Sequence, residues 1–143
     1  MILDTQEQFS DAQAVTSVGD AASTNVYDTG AAADVGIGEE IYVYAKSKAA
    51  FTSSGAGTLQ VILQDSADNS TFADVQALTP AKALATLTAN TDLVRARLPI
   101  GLRRYIRLAY RVGTAAMTGG TVDAYLSLEV QAQQYGASGF TVA

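Results

Sequence analysis

The sequence contains no cysteine and no histidine among its 143 residues. Without imidazole there is no Ser–His or Cys–His nucleophile pair, and the commonest acid–base group at neutral pH is missing. Without thiols or imidazoles, zinc has almost no ligands, and no disulfide can form. These absences predict a protein that is not an enzyme and that holds no metal and no cofactor.

Long apolar runs are also missing. No window approaches the roughly 18 consecutive apolar residues of a membrane span. The start, Met1-Ile2-Leu3-Asp4-Thr5, has no basic segment and reaches an acidic residue at once, unlike a secretion signal. We therefore expect a soluble protein that is made inside the cell and has no membrane partner.

The charges are unevenly distributed. Residues 1–40 contain eight acidic side chains and no lysine or arginine, whereas six of the nine basic residues lie between Arg95 and Arg111. The formal net charge of −5 argues against a nucleic-acid partner. The separation of signs favours charge complementarity, either between copies of the chain or with a protein partner. The alternative is an ordinary surface with scattered, solvated charges.

Apolar and polar residues alternate with period two along much of the chain, which is typical of strands. Predicted strands cover residues 39–46, 57–64, 71–75 and 93–98, and the turn formers at 65–70 make the second and third a hairpin. Residues 78–90 are the one helix candidate, and a strand is equally compatible with them. The pattern predicts an all-β fold, a jelly-roll-type antiparallel β-sandwich with extended termini, as a single domain over residues 1–143.

The clearest alternation is in residues 104–112 and 121–131. The first strand has an outer row of Tyr105, Arg107, Ala109 and Arg111. The two predicted inner rows are Ile106, Leu108, Tyr110 and Val112, and Val122, Ala124, Leu126, Leu128 and Val130. If the strands are neighbours, the arginines face carboxylates of the other strand's outer row. The glycine-rich segment 113–120 between them is predicted to be a mobile loop.

The two ends differ in kind from the middle. Residues 1–15 mix apolar and polar side chains without clean periodicity and are predicted to be an N-terminal arm, and residues 132–143 to be a small-residue tail. Both ends either bind a partner or pack on their own domain. Because tyrosine and arginine are enriched in interface hot spots, the arginine row is a further candidate, with a solvated face as its alternative. The candidate contact residues are Ile2, Leu3, Phe9, Tyr105, Arg107, Arg111, Tyr135 and Phe140.

Two motifs suggest ligands only superficially. Gly36-Ile37-Gly38 lacks the third glycine and the strand-to-helix context of a dinucleotide site. Asp65, Asp68 and Asn69 offer oxygen ligands for Ca²⁺, but their spacing misses the EF-hand pattern, and a hairpin turn is the preferred interpretation.

Segments spread along the chain resemble the jelly-roll capsid cement, or decoration, proteins of tailed bacteriophages. They are Met1–Asp4, Phe9–Val15, Ala22–Val26, Leu59–Gln64, Ser66–Thr71, Arg104–Leu108 and Gly120–Val122, ending near Gln131. The resemblance implies a protein that is made in the host cytoplasm, sits on the outer capsid surface of the virion and clamps adjacent major capsid proteins. It also implies a symmetric oligomer and no catalytic residues.

Two further expectations follow. A homodimer is favoured over a trimer because twofold association is the commonest closed form. The alternative function is a jelly-roll carbohydrate-binding module, with Tyr42, Tyr44 or Tyr125 as an exposed sugar platform. The absence of tryptophan makes that alternative weaker.

Overall fold

The chain folds into two antiparallel β-sheets that pack face to face. The computed structural model describes residues 4–30 and 40–128, and within them it has ten strands. Their bounds are β1 Gln8–Ala14, β2 Gly19–Ala22, β3 Tyr27–Asp28, β4 Tyr42–Ser53, β5 Thr58–Ser66, β6 Ala73–Ala77, β7 Lys82–Ala83, β8 Thr91–Arg97, β9 Tyr105–Gly113 and β10 Met117–Ser127. Short 3-10 turns cover Thr5–Glu7 and Leu84–Thr86.

The strand order is that of a jelly roll. One sheet has four strands in the order β1-β10-β4-β8. The other has six, with β9 and β5 at its centre. The short strands β2 and β3 pair with successive parts of β9, and β6 and β7 pair with successive parts of β5. Counting each flanking pair as one interrupted strand gives two four-stranded sheets between which the chain passes repeatedly. The predicted all-β, jelly-roll-type sandwich is therefore confirmed.

The core lies between the sheets and is built from the alternation seen in the sequence. The predicted inner row of β9 is at most 1% exposed throughout. Alternate residues of β5, β4 and β10 complete the same cluster; they are Leu59, Val61, Leu63, Val43, Ala45, Val122, Ala124 and Leu126. Because neighbouring side chains of a strand point to opposite faces, the apolar rows of the clearest strands determine which side of each sheet is buried.

A buried polar contact joins the sheets at β1. The hydroxyl of Tyr110 on β9 lies 2.7 Å from the Oγ of Ser10 on β1, and both residues are fully buried. Ser10 in turn donates to Oε1 of Gln13 at 2.7 Å. A buried hydroxyl needs such a partner to offset its lost hydration. These bonds therefore hold β1 against the opposite sheet.

Several boundary predictions are wrong. The arm predicted over residues 1–15 is too long, because residues 8–14 form β1 and pair with β10. Residues 78–90 are neither a helix nor one strand: they contain β7 and a 3-10 turn. The predicted loop 113–120 is shorter, because residues 117–120 belong to β10.

The last two strands are not neighbours, so the arginines of β9 do not face the outer row of β10. Strands β9 and β10 lie in opposite sheets, because the short connection between them crosses from one sheet to the other. Leu128, predicted to face inward, is 55% exposed, since β10 ends at Ser127. Val130 lies outside the described residues.

In the described part of the chain, no residues form a helix with the length and apolarity needed to cross a lipid bilayer.

Candidate partner-binding face

The outer face of the six-stranded sheet carries the arginine row predicted on β9. Tyr105, Arg107, Ala109 and Arg111 alternate with the buried row, and opposite them on β5 lie Ser66, Gln64, Ile62 and Gln60. Phe72, in the turn before β6, contacts the same surface through Arg107. We call the surface formed by Phe72, Tyr105, Arg107 and Arg111 the arginine–aromatic face.

Arg111 is neutralised within the chain. Its Nε and Nη2 donate to the two carboxylate oxygens of Asp20 on β2 at 2.6 and 2.7 Å, and Nη2 also lies 3.0 Å from Oδ2 of Asp74 on β6. Arg111 thus bridges the two edges of the sheet over the central strands. With two carboxylates already bound, it has little charge left for a partner.

The pKa values of the groups around Arg111 reflect this pairing. The hydrogen bond from Arg111 holds the pKa of Asp20 below its ordinary value. Hydrogen bonds from Gln64 and then Arg111 lower the pKa of Asp74 in the same direction. The two aspartates raise the pKa of Arg111. All three side chains are more than one third exposed, so each pair contributes only about 0–1 kcal/mol to stability.

Arg107 is held differently. Its Nε donates to Oε1 of Gln64 at 2.8 Å, and its guanidinium carbon lies 3.8 Å from the centre of the Phe72 ring. At that distance the guanidinium and the ring form a cation–π contact. Burial lowers the pKa of Arg107, although the group stays protonated at any physiological pH. Arg107 is therefore a fixed and partly desolvated cation.

A second arginine–aromatic stack lies at the start of β9. The guanidinium carbon of Arg104 is 4.9 Å from the centre of the Tyr105 ring. Arg104 is itself held by Asp28, to whose two carboxylate oxygens it donates at 2.7 and 3.0 Å. The hydrogen bond from Arg104 lowers the pKa of Asp28. Tyr105, half-buried, is thus supported from one side by a guanidinium that is already paired.

Three acidic side chains of the front part of the chain pair with arginines of the basic stripe. Asp20 bonds Arg111, Asp28 bonds Arg104, and Glu40 lies 3.3 Å from Arg97. For these three pairs, the charge separation in the sequence corresponds to contacts within one domain. The expectation that it reports complementarity between molecules does not apply to these pairs.

The structure separates the predicted contact residues into three groups. Tyr105, Arg107 and Arg111 share one face, as predicted. The prediction that Phe9 contacts a partner is wrong. Phe9 is 1% exposed and belongs to the core, because β1 packs its apolar side chains between the sheets. Ile2, Leu3, Tyr135 and Phe140 lie outside the described residues, as do the tail 132–143 and the Gly36–Gly38 motif.

The aspartates at the β5–β6 turn have structural partners. Arg103 donates to Asp65 through its Nε and its backbone N–H, both at 2.9 Å. Oδ1 of Asp68 accepts the backbone N–H groups of Ser70 and Thr71 at 3.0 and 2.9 Å, which lowers the pKa of Asp68. Strands β5 and β6 pair as the predicted hairpin. Residues 4–30 and 40–128 contain no cluster of three or more potential metal ligands.

The proposed sugar platform is not exposed. Tyr44 and Tyr125 are only 7% and 5% exposed, and their ring centres lie 5.1 Å apart. The Tyr44 hydroxyl donates to Asp92, and the hydroxyl of the half-buried Tyr42 donates to Glu40. A sugar platform needs an accessible ring face, so the prediction is wrong for Tyr44 and Tyr125.

Sequence reasoning missed the residues that position the arginines. Phe72 was assigned only to a returning strand, and Gln64 only to the end of a buried one. The period-two pattern places Gln64 on the polar side of β5, which was a usable signal. The pairing of Asp20 and Asp74 with Arg111 had no local signal, because these residues lie far apart in the chain and on different strands.

Comparison with known proteins gives one family. The sequence model of the Bbp16 family matches residues 9–126, from β1 to β10. No curated protein matches the chain.

Proposed function

The chain belongs to the Bbp16 family, and for this member we propose a structural, non-enzymatic role as a capsid cement protein. It binds the outer surface of the icosahedral shell of a tailed bacteriophage and stabilises the contacts between major capsid proteins. It is made in the host cytoplasm and becomes part of the virion. The sequence resemblance to decoration proteins and the jelly-roll fold support this proposal.

The observation that carries the proposal is the arginine–aromatic face. Within it, the guanidinium carbon of Arg107 lies 3.8 Å from the centre of the Phe72 ring, and Arg104, next to the face, lies 4.9 Å from the centre of the Tyr105 ring. Tyrosine and arginine dominate interface hot spots because they offer a large contact area together with directed hydrogen bonds. A surface on a packed sheet loses little side-chain freedom on binding, which favours affinity.

Cementing needs binding and no chemistry. A ligand that binds only the assembled shell shifts the assembly equilibrium toward it by mass action. An oligomer that contacts several repeated sites gains avidity without strong individual contacts. We propose a homodimer in preference to a trimer, since twofold symmetry is the commonest closed arrangement.

The proposal is tested with shells of the parent phage that lack this protein. Adding the purified protein should produce saturable binding and raise the temperature at which the shells rupture and release DNA. Albumin at the same concentration serves as a control for crowding. Shells that neither bind the protein nor rupture at a different temperature would overturn the proposal.

The oligomeric state is measured separately. Light scattering on the purified protein should give the mass of two chains. A trimer would overturn the dimer proposal while leaving the cement role intact.

A further inference from the structure

The arginines of this protein differ in whether a carboxylate lies beside them. Five of the six lie 2.6–3.7 Å from a carboxylate oxygen: Arg95, Arg97, Arg103, Arg104 and Arg111. Arg107 is the exception, with no carboxylate within 4.0 Å among the described residues. In a chain where arginines are regularly neutralised, this unpaired cation requires a reason.

The side chain of Arg107 is nevertheless ordered by its neighbours. Phe72 holds one face of the guanidinium, and Gln64 accepts its Nε–H. Gln64 is fixed in turn, because its Nε2 donates to Oδ1 of Asp74 at 2.7 Å, and Asp74 is bound by Arg111. This chain of contacts uses Nε and leaves the two terminal amino groups of Arg107 with no acceptor in the described part of the protein. Those two groups can together bind the two oxygens of one carboxylate end-on, whereas Arg104 and Arg111 bind theirs through Nε and Nη2.

Burial adds a reason for an anion to bind there. Desolvation lowers the pKa of Arg107, which means that its charged form is less well solvated than that of a free arginine. A cation that has already lost part of its hydration loses less on acquiring a partner. Its fixed orientation also reduces the entropy lost on binding.

The surroundings favour one carboxylate over a nucleic acid. Asp20 and Asp74 lie on the same face, and the chain as a whole has a net charge of −5. These charges repel a phosphate polymer, whose charges repeat along its length. A single acidic side chain, by contrast, contacts only Arg107 and its immediate neighbours.

From these contacts we infer that Arg107 is the partner-specific residue of the arginine–aromatic face and binds an Asp or Glu side chain of the shell protein. Phe72 and Gln64 are positioning residues for it. Arg111, already bound to Asp20 and Asp74, holds the face together and makes no essential contact with the partner. This assignment rests on the proposed cement function.

The test compares three full-length variants for binding to the same stripped shells. Arg107→Gln removes the charge, and Arg107→Lys keeps the charge but loses the planar, bidentate fork. Arg97→Gln, on the four-stranded sheet, is the matched control. We expect Arg107→Gln to weaken binding about tenfold or more, with Arg107→Lys intermediate and Arg97→Gln unchanged. The melting temperatures of all three should stay close to that of the wild type, because these side chains lie at the surface.

A second arm identifies the anion. Shell carboxylates are converted to amides with a carbodiimide and glycinamide. Wild-type protein and Arg107→Gln should then bind the treated shells equally, because the same contact has been removed from either side. If the loss of affinity caused by the shell treatment and the loss caused by Arg107→Gln add together, the carboxylate assignment is overturned. Binding of double-stranded DNA that depends on Arg107 would overturn it as well.

The outcomes separate this assignment from the function on which it rests. Shells that ignore the wild-type protein would overturn the cement role and the assignment with it. Shells that bind Arg107→Gln as tightly as the wild type would overturn the assignment alone.

Discussion

Replacing Phe9 by alanine tests whether β1 belongs to the core of the sandwich. The side chain is 1% exposed, and truncating a buried phenylalanine to alanine costs about 3–5 kcal/mol. That is a large part of the roughly 5–15 kcal/mol that stabilises a typical domain. Because a loss of 1 kcal/mol lowers the melting temperature of a domain of this size by about 4 °C, the variant should melt ~12–20 °C lower.

The assay is thermal unfolding followed by circular dichroism, with urea unfolding to give the free energy. Val18→Ala is the control, since Val18 is close in sequence but 60% exposed; it should change stability by no more than about 0.5 kcal/mol. A Phe9→Ala protein that melts like the wild type but no longer binds shells would refute the reasoning. Phe9 would then be a contact residue.

Two further changes probe the sheet. Arg111→Gln removes the hydrogen bonds that help to hold the pKa values of Asp20 and Asp74 below their ordinary values. A depressed carboxyl pKa stabilises the fold above the unfolded value of about 3.9, and that contribution is lost as the pH falls through the folded pKa. The unfolding free energy of the wild type should therefore decline more steeply below about pH 4 than that of Arg111→Gln. Urea unfolding at a series of pH values measures this decline, and the same dependence on pH in both proteins would contradict the pairing. Gly120→Ala should lose about 2 kcal/mol or more, because its Cβ would lie 2.4 Å from the Phe51 ring at a φ of +123°. An unchanged urea midpoint would show that the strand relaxes freely.

The predicted elements that proved correct depend on local alternation. On β9, each residue from Tyr105 to Val112 points to the side that the period-two pattern predicts, although Ala109 on the outer face is also buried. The hairpin of β5 and β6 was signalled by the turn formers between them. In both cases the relevant information lies within about ten consecutive residues.

The elements that were missed depend on distant partners. β1 has little periodicity of its own, because its pairing with β10 is interrupted by register shifts and Ala12 has a positive φ. The hydrogen bond between the hydroxyl groups of Tyr110 and Ser10 fixes its place across the core. The two clearest strands of the sequence were considered as neighbours, yet the connection from β9 to β10 joins the two sheets. Nothing within either strand distinguishes these possibilities.

By itself, the sequence determined the sandwich class, the buried face of its clearest strands and the set of side chains available for chemistry. These follow from composition and from the alternation of apolar residues, which are properties of adjacent positions. The tertiary structure alone decided which charges are paired. Arg107 and Arg111 occupy equivalent positions in the pattern, but Asp20 and Asp74 reach Arg111 while Phe72 and Gln64 hold Arg107. That difference arises from strand order, which brings together residues far apart in the chain.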